Sequence, residues 1–345
     1  MTEEEWRGGL APHYDYMLTE RPEDPAMRES SSIWLFEENG DFAFPRIGIE
    51  GIGAVWDTHR TDCNFAFRDG RAMYELVMDA KTLPPIGPEG KPTILGSGGV
   101  KFECIEPFHK WRVQYDGHPI DTTSVAMMNA NLGTDKRAHV KFNVMLTMVT
   151  PCWVQDHTEE KIARMSPREA DDARSMGIGY RMEHLFRGEG TLEVDGEMRD
   201  FKATGIRVHR QSVRPLEGFR GHCWQSAVFP DGRAFAFIAY PPGEDGSTYN
   251  DGYVYIDGKM HQAKCNRIPF LTKLAPNGQD ASIELESEAG TFRIDGVTRL
   301  TTFKVMTEGE MAGFALQQGA VEYDWDGQKA YGMIERSTWL NQVES

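Results

Sequence analysis

The sequence predicts an all-β protein made of two antiparallel β domains. Turn dipeptides punctuate the whole chain: Asp-Gly begins at positions 69, 116, 195, 231, 245, 251, 257, 295 and 326, and Asn-Gly begins at 39 and 277. These pairs tolerate the positive φ angles of tight hairpin turns, and short alternating or aromatic-rich runs flank many of them. A length of 345 residues exceeds the common size of one domain and favours two.

The predicted elements follow in chain order. Residues 1–30 form an N-terminal extension, 31–155 the first β domain, 156–177 a helical connector and 178–345 the second β domain. Hairpins with period-two alternation on at least one side of the turn are predicted at 32–49, 99–120, 188–208, 226–240 and 253–264. The connector is charged and rich in helix formers, and Ser166 and Pro167 predict the N-cap and first residue of a helix.

The charge of the chain argues against two classes of partner. The formal net charge is −16, from 37 basic and 53 acidic residues, and no segment concentrates Lys and Arg as a nucleic-acid-binding surface does. Anionic lipid headgroups would repel such a surface, and no apolar run approaches the length of a membrane span. We therefore expect no nucleic-acid partner and no stable membrane insertion.

The cysteines and the N-terminal residues indicate a reducing compartment. The five cysteines are odd in number, widely spread and never in C-x-x-C spacing, which predicts reduced thiols. The first 17 residues are acidic and lack the apolar core of a secretion signal. We expect a cytoplasmic location.

Common cofactor and metal motifs are absent from the sequence. It contains no G-x-G-x-x-G, no G-x-x-x-x-G-K-[ST], no G-x-S-x-G and no H-E-x-x-H. None of the ten histidines has a short ligand spacing to another His or Cys except the adjacent His222 and Cys223, which would point to opposite faces of a strand. The sequence therefore predicts neither a cofactor nor a metal site.

The segment GHCWQSAVF, 221–229, raises the first candidate site. In a strand, His222, Trp224 and Ser226 share one face, whereas Cys223 and Gln225 share the other. An imidazole beside a large flat ring suits an apolar ligand that needs one proton donor or acceptor. The same pair also occurs in ordinary β cores, with the imidazole bonded to a carbonyl, and the pattern leaves both interpretations open.

A second candidate lies in STYNDGYVYIDG, 247–258. Tyr249 and Asp251 stand two residues apart and Tyr253 follows. A carboxyl group among aromatic rings has its pKa raised by desolvation and can act as a general acid near neutral pH. The alternative is a surface turn at Asp251 and Gly252.

Polar residues in two further segments are also candidates. Arg207 and His209 share a face if 205–215 is extended, and Glu183 stands between apolar residues in YRMEHLFRGEG. An inward Glu183 would need a hydrogen bond or a proton, because burial of a bare carboxylate is costly. Outward, solvated positions are equally consistent with both segments.

Several of these motifs together resemble a known family. The chain is similar, from about residue 30, to the hydroxyneurosporene synthase or carotenoid 1,2-hydratase group and its AttH-like relatives. The segments that carry the resemblance are WRVQYDG, YRMEHLFRGEGTLEVDGE, GIRVHRQSVRP, HCWQSAVFPDGR and YGMIERS. The resemblance implies two consecutive lipocalin-like β-barrel domains.

The resemblance also implies roles for the candidate residues. The hydratases use a His-x-Trp pair and a Tyr-x-Asp pair in acid-catalysed addition of water to an isoprenoid double bond, and these pairs fall on His222 and Trp224 and on Tyr249 and Asp251. Asp251 would donate the proton, the Trp224 ring would stabilise developing positive charge, and His222 with Tyr249 would position water or relay a proton.

One segment departs from the family pattern. Many members read G-F-R-D-H-S-W-G-P-R where this chain reads GIRVHRQSVRP, which keeps Gly205, Arg207, His209 and Arg214 but replaces the Asp, the Trp and the later Gly. The change indicates a pocket altered for another substrate.

Two classes of function remain open at the level of sequence. The first is a cofactor-independent lyase, a hydratase, dehydratase or related enzyme acting on a hydrophobic isoprenoid or aromatic substrate. Asp251, His222, Tyr249, His209 and Glu183 would be catalytic, and Trp224, Arg207 and Tyr253 would bind substrate. The second is a non-catalytic carrier of a small hydrophobic molecule.

An isomerase or cyclase would use the same groups, and surface aromatic residues could also form a homo-oligomer interface. The 17 methionines are consistent with a roomy apolar pocket.

Overall fold

The computed structural model describes residues 1–133, 135–214, 218–309 and 311–344. Pro215, the last residue of the GIRVHRQSVRP motif, lies outside the described residues. The helices are α1 Glu3–Trp6, α2 Ser124–Met128, α3 Glu159–Ile162 and α4 Pro167–Met176, with 3₁₀ helices at Pro12–Asp15, Gly53–Val55 and Leu340–Gln342.

The strands form two antiparallel sheets, as the all-β prediction requires. The first contains β1 Met27–Glu37, β2 Phe42–Ile52, β3 Thr58–Phe67, β4 Arg71–Lys81, β5 Ile94–Ser97, β6 Val100–Glu106, β7 Lys110–Gly117, β8 Ile120–Thr123, β9 Val140–Met148, β10 Trp153–His157, β11 Ile178–Val194 and β12 Glu197–Val213. The second contains β13 His222–Val228, β14 Ala234–Ala239, β15 Asn250–Ile256, β16 Lys259–Arg267, β17 Ile283–Ser287, β18 Gly290–Val305, β19 Phe314–Trp325 and β20 Gln328–Trp339.

The two sheets differ in how they close. The second is a closed barrel in which strands β13 to β20 follow in sequence order and β20 returns to β13. The first runs β5-β6-β7-β9-β11-β12-β1-β2-β3-β4-β8, with β10 added beside β11. A bridge between Thr82 and Ser97 joins the end of β4 to β5 and brings the two sides of this sheet together.

The expected boundary at 178 is corrected by the strand pairing. The long hairpin of β11 and β12 lies in the first sheet, between β9 and β1, so the second sheet begins only at His222. The helical segment is present, and Ser166 is its N-cap with Pro167 in the first turn. Its helices connect β10 to β11 within the first sheet. A pattern of helix formers predicts a helix but carries no information on which strands it joins.

The Asp-Gly pairs have two different roles. Those at Asp195, Asp257 and Asp326 form two-residue hairpin turns in which the Asp and the following Gly both have positive φ, as predicted. Those at Asp116, Asp251 and Asp295 lie inside strands.

Alternation along β12 and β13 determines what lies between the sheets. On β13, Cys223 and Gln225 face the barrel interior, where Cys223 joins a core to which all eight strands contribute. Trp224, on the opposite face, packs with Trp34 of β1 and Ile206 of β12 in a core that both sheets build. The outer face of the barrel therefore rests against the outer face of the first sheet.

The N-terminal extension is anchored inside the first sheet by a buried carboxylate. Asp15 is fully buried and accepts hydrogen bonds from the backbone N–H of Phe108 at 2.7 Å, the indole of Trp111 at 3.0 Å and Nη1 of Arg207 at 2.9 Å. Burial alone would raise the pKa of Asp15, but the charge of Arg207 and the nearby imidazole of His209 hold it well below its usual range.

We expect Asp15→Ala to lower the free energy of unfolding by about 3–5 kcal/mol, because it leaves Arg207 as an unpaired buried charge. Urea unfolding followed by fluorescence measures the change. The exposed His13→Ala is the matched control and should unfold as the wild type does. Equal stability of Asp15→Ala and the wild type would contradict this view of the N-terminal segment.

Candidate active site between the two sheets

A cavity of about 70 Å³ lies where the two sheets meet. β1, β2, β11 and β12 line it on one side, and β13, β14 and β20 line it on the other. Val208 and Arg210 face the cavity from β12, and His222 and Trp224 face it from β13. The His-x-Trp face of β13 therefore borders a polar cavity as well as an apolar core.

Glu183 is a buried carboxyl group at this junction. It is 0% exposed, and in the sheet it lies opposite Trp153 of β10 on one side and Val208 of β12 on the other. Burial raises the pKa of Glu183 to about 7, although Nη2 of Arg181, 2.7 Å from Oε1, and the indole N–H of Trp224 act to lower it. Glu183 therefore titrates near neutral pH.

Asp251 is a second carboxyl group in the same region. It lies in β15 rather than in a surface turn, and Gly252 is required beside it, since a Cβ there would stand 2.6 Å from the carbonyl oxygen of Ala236. Burial raises the pKa of Asp251, opposed by hydrogen bonds from Gln262 and from the backbone N–H of Gly252. The charge of Asp251 in turn raises the pKa of Glu183.

Tyr249 connects Asp251 to a histidine that the sequence did not identify. The Tyr249 hydroxyl lies 3.0 Å from Nε2 of His157, whose Nδ1 is 3.3 Å from the carbonyl oxygen of Gly177. Because that carbonyl can only accept, Nδ1 is assigned the proton and the Tyr249 hydroxyl donates to Nε2. Burial and the nearby charge of Asp251 raise the pKa of Tyr249 well above its usual value.

A larger groove opens on the solvent side of Asp251. Its volume is about 870 Å³, within the range of sites that hold small organic molecules. Asp251, Trp153, Tyr253 and Met260 contribute to its walls, together with residues of the N-terminal extension. The ring of Tyr253 packs edge-on against Trp153, with 5.4 Å between the ring centroids.

His222 is held by the barrel itself. Its Nε2 is 3.1 Å from Oε1 of Glu335, and its Nδ1 is 2.7 Å from Oγ of Ser337. Burial would raise the pKa of Glu335, but the hydrogen bond and charge of His222 lower it to about 2. Both ring nitrogens of His222 are therefore engaged by protein atoms.

The Trp224 ring is already covered by a cation. The guanidinium of Arg181 stands 4.4 Å from its ring centroid, and Trp34 packs against it edge-on at 4.7 Å. A developing positive charge on a ligand would compete with Arg181 for this ring.

Arg207 and His209 belong to a separate cluster. They lie on the face of β12 opposite to Val208 and Arg210, where Arg207 contacts Asp15 and Nε2 of His209 is 2.7 Å from Oε1 of Glu29. Burial would lower the pKa of His209, but the hydrogen bond with Glu29 and the nearby carboxylate of Asp15 raise it. The structure therefore groups Glu183, Tyr249, Asp251, Tyr253 and Trp224, places His222 on the cavity, and separates Arg207 and His209 from all of them.

The arginines of the cavity and two of its neighbours were missed by the sequence analysis. Arg181 stands two residues before Glu183 on β11, and Arg210 shares the alternation of β12, so period-two reading of these strands could have found them. Arg214 lies one residue beyond β12. Glu335 lies within the YGMIERS segment. No sequence signal identified His157.

In the part of the chain that the structure describes, no three His, Cys, Asp or Glu side chains converge as a metal site would require. Within the same ranges, no helix is both long and apolar enough to cross a bilayer. All five cysteines are free and buried.

A family model matches residues 12–339 and is described as a domain of unknown function, DUF7064. The chain belongs to the DUF7064 family. No curated protein matches the chain by sequence.

Solved structures share the fold at low sequence identity. An AttH-like protein from Nitrosomonas europaea aligns with a TM-score of 0.56 at 14% identity, over 96% of this chain and 100% of that one. CghA in complex with Sch210972 aligns with a TM-score of 0.53 at 10% identity, over 93% and 90%. Kievitone hydratase from Nectria haematococca is similar at 10% identity over 94% and 93%, with a TM-score of 0.48 that is too low to support an argument. The fold is that of the AttH-like proteins, with lipocalin-like β units, as expected.

We expect Glu183→Gln to remove a pH dependence of stability. The stabilising contribution of the neutral carboxyl group is fully present below the unfolded pKa near 4.5 and is lost as pH rises through the folded pKa of about 7. From pH 4.5 to pH 7.5, the free energy of unfolding of the variant should therefore rise by about 3 kcal/mol relative to that of the wild type. Urea unfolding at a series of pH values measures the difference. Glu189→Gln, exposed on the same strand, is the control, and parallel curves for Glu183→Gln and the wild type would contradict the assignment.

Proposed function

We propose that this chain is a cofactor-independent lyase that adds or removes water, or another small molecule, on a hydrophobic isoprenoid or aromatic substrate. The observation that carries the proposal is the position of Asp251 on the wall of a groove large enough for such a substrate, with Glu183 and Tyr249 close enough to interact with its charge. Addition or elimination of water needs one group that gives a proton and another that takes it, held out of bulk water.

Asp251 is the proposed catalytic residue, because it lines the groove and a bound substrate can reach it. Burial raises its pKa and so increases the fraction that carries a proton near neutral pH. The Tyr249 hydroxyl and His157 lie behind Asp251, and Asp251 regains its proton from the water that adds to the substrate in the groove.

Glu183 is proposed as a positioning residue that acts through Asp251. It is fully buried, so its effect on the reaction is electrostatic. When Glu183 loses its proton, the new negative charge favours the protonated form of its neighbour. The two carboxyl groups thus differ in environment: Asp251 carries the proton that is transferred, and the charge of Glu183 influences how strongly Asp251 holds it.

His222 and Trp224 receive supporting roles in this proposal. Hydrogen bonds to both ring nitrogens favour His222 as a structural partner of Glu335, and the Arg181 guanidinium occupies the Trp224 ring. His222→Ala would leave the buried Glu335 carboxylate with Gln318 as its remaining partner, so loss of activity in that variant would not separate folding from catalysis.

The kinship with the hydroxyneurosporene synthase and carotenoid 1,2-hydratase group remains part of the proposal and rests on the sequence motifs. A cytoplasmic location is likewise proposed, supported by five free, buried thiols. The second candidate function is carriage of a small hydrophobic molecule, which the volume of the groove favours independently of its acidic groups.

We expect Asp251→Asn to lower turnover at least about 100-fold, because an amide cannot donate the proton. The substrate is sought by incubating the protein with a panel of apolar alkenes, alcohols and aromatic alcohols and measuring product masses, with no cofactor added. Asp79→Asn, on the exposed side of β4, is the matched control and should react as the wild type does. A ligand that binds and returns unchanged would support the carrier, and full activity of Asp251→Asn would remove Asp251 from the mechanism.

The pH profile tests the role of Glu183 separately. We expect Glu183→Gln to remain active but to lose activity at a lower pH than the wild type, because no negative charge then favours protonated Asp251. Initial rates from pH 5 to pH 9 measure the shift. Glu189→Gln should keep the wild-type profile, and an unshifted profile for Glu183→Gln would contradict the electrostatic coupling.

A further inference from the structure

Two buried arginines stand directly opposite each other at the interface cavity. Arg181 of β11 and Arg210 of β12 are register partners, and they are 6% and 8% exposed. Like charges at opposed positions destabilise a sheet, and burial increases the cost because water no longer screens them. Arg214, one residue beyond the end of β12, also lines the cavity. Glu183, whose Oε1 lies 2.7 Å from Nη2 of Arg181, supplies part of the negative charge that this arrangement needs.

The carboxylates of the cavity do not supply enough of it. Five arginines and two glutamates line the cavity, which leaves three positive charges when all seven groups are ionised. The arginines are Arg28, Arg46, Arg181, Arg210 and Arg214. Glu50 pairs with Arg28, and Glu335 bonds His222 and Gln318.

Over the described residues, three arginines of the lining form no ion pair with a carboxylate: Arg46, Arg210 and Arg214. The guanidinium of Arg46 stands over the Trp34 ring, 5.5 Å from its centroid. Nη1 of Arg210 donates to the carbonyl oxygen of Met176 at 3.0 Å, and the buried Nε of Arg214 has no hydrogen-bond acceptor. Burial lowers the pKa of both guanidinium groups, and the charge of Arg214 lowers that of Arg210 further. A bound anion would relieve this mutual repulsion.

We propose that the interface cavity binds the carboxylate group of a hydrophobic ligand, with Arg210 and Arg214 as the residues that recognise it. The guanidinium group matches a planar carboxylate with two parallel hydrogen bonds. A volume of about 70 Å³ admits a head group but not an apolar body. Arg28, Arg46 and Arg214 are only partly buried, so the cavity reaches solvent at this end.

The neighbouring glutamates favour a single negative charge. Glu50 and Glu335 lie on the same walls and would repel a dianion such as phosphate more strongly than a carboxylate. The inference deepens the lyase proposal and rests on it in one respect: if the chain is a lyase, its substrate is a hydrophobic acid.

Calorimetric titration with decanoate and decanamide tests the inference. The two probes have the same chain length and differ in the charge of the head group. We expect decanoate to bind the wild-type protein at least about tenfold more tightly, because its hydrogen bonds to guanidinium groups are charge-assisted. Equal affinity of the two probes would overturn the proposal, as would tighter binding of inorganic phosphate than of decanoate.

Substitutions locate the effect in the cavity. Arg210→Gln and, separately, the partly exposed Arg214→Gln should each reduce the preference for decanoate by about tenfold. Arg164→Gln, on the surface of the connector, is the control and should retain the full preference. Arg210→Gln also removes the repulsion between Arg210 and Arg181, so the melting temperature of this variant should not fall. An unchanged preference in both folded variants would overturn the assignment.

Asp251→Asn separates this inference from the lyase proposal. It should keep the wild-type affinity for decanoate, because Asp251 does not line the cavity. Decanoate preference without turnover of any substrate would uphold the binding site and count against the lyase. Turnover of neutral substrates, with no preference for decanoate, would uphold the lyase and overturn the binding site.

Discussion

The contact between the outer face of the first sheet and the outer face of the barrel is the constraint on which the rest of the structure depends. An ordinary contact of this kind would be apolar throughout, since buried charges are costly to desolvate. Here Trp34, Ile206 and Trp224 supply the apolar part, while Arg181, Glu183 and Arg210 are buried beside them. Packing of the three apolar side chains holds the buried charged side chains in place. Burial of these charges lowers the stability of the contact, but it also fixes groups that can bind a ligand or take part in a reaction.

Strand alternation decides which polar residues enter this contact. On β12, Arg210 faces the barrel, whereas Arg207 and His209 face the interior of the first sheet and fix the N-terminal extension through Asp15. The arginine-lined cavity and the cluster around Asp15 thus lie on opposite faces of one strand. A shift of one residue in the register of β12 would exchange them.

The fold was predictable in kind from local sequence, and the site only in part. Asp195, Asp257 and Asp326 mark hairpins because a two-residue turn needs positive φ at both positions, and Ser166 marks a helix because its side chain caps free N–H groups. The pairing of β11 and β12 with β1 and β9 is long-range, and local patterns cannot reveal it. For the same reason the sequence grouped Tyr249 with Asp251, two residues apart, but could not find His157, 92 positions away in the chain from Tyr249.

A crystal structure of the protein with 10-bromodecanoate tests the central claim, that ligands bind between the two sheets. The anomalous signal of bromine locates the apolar end of the probe, and the electron density locates its carboxylate group. We expect the carboxylate on Arg210 and Arg214, with the chain leaving through the space between the sheets. A probe found inside the barrel, among Phe235, Phe237 and their neighbours, would contradict it.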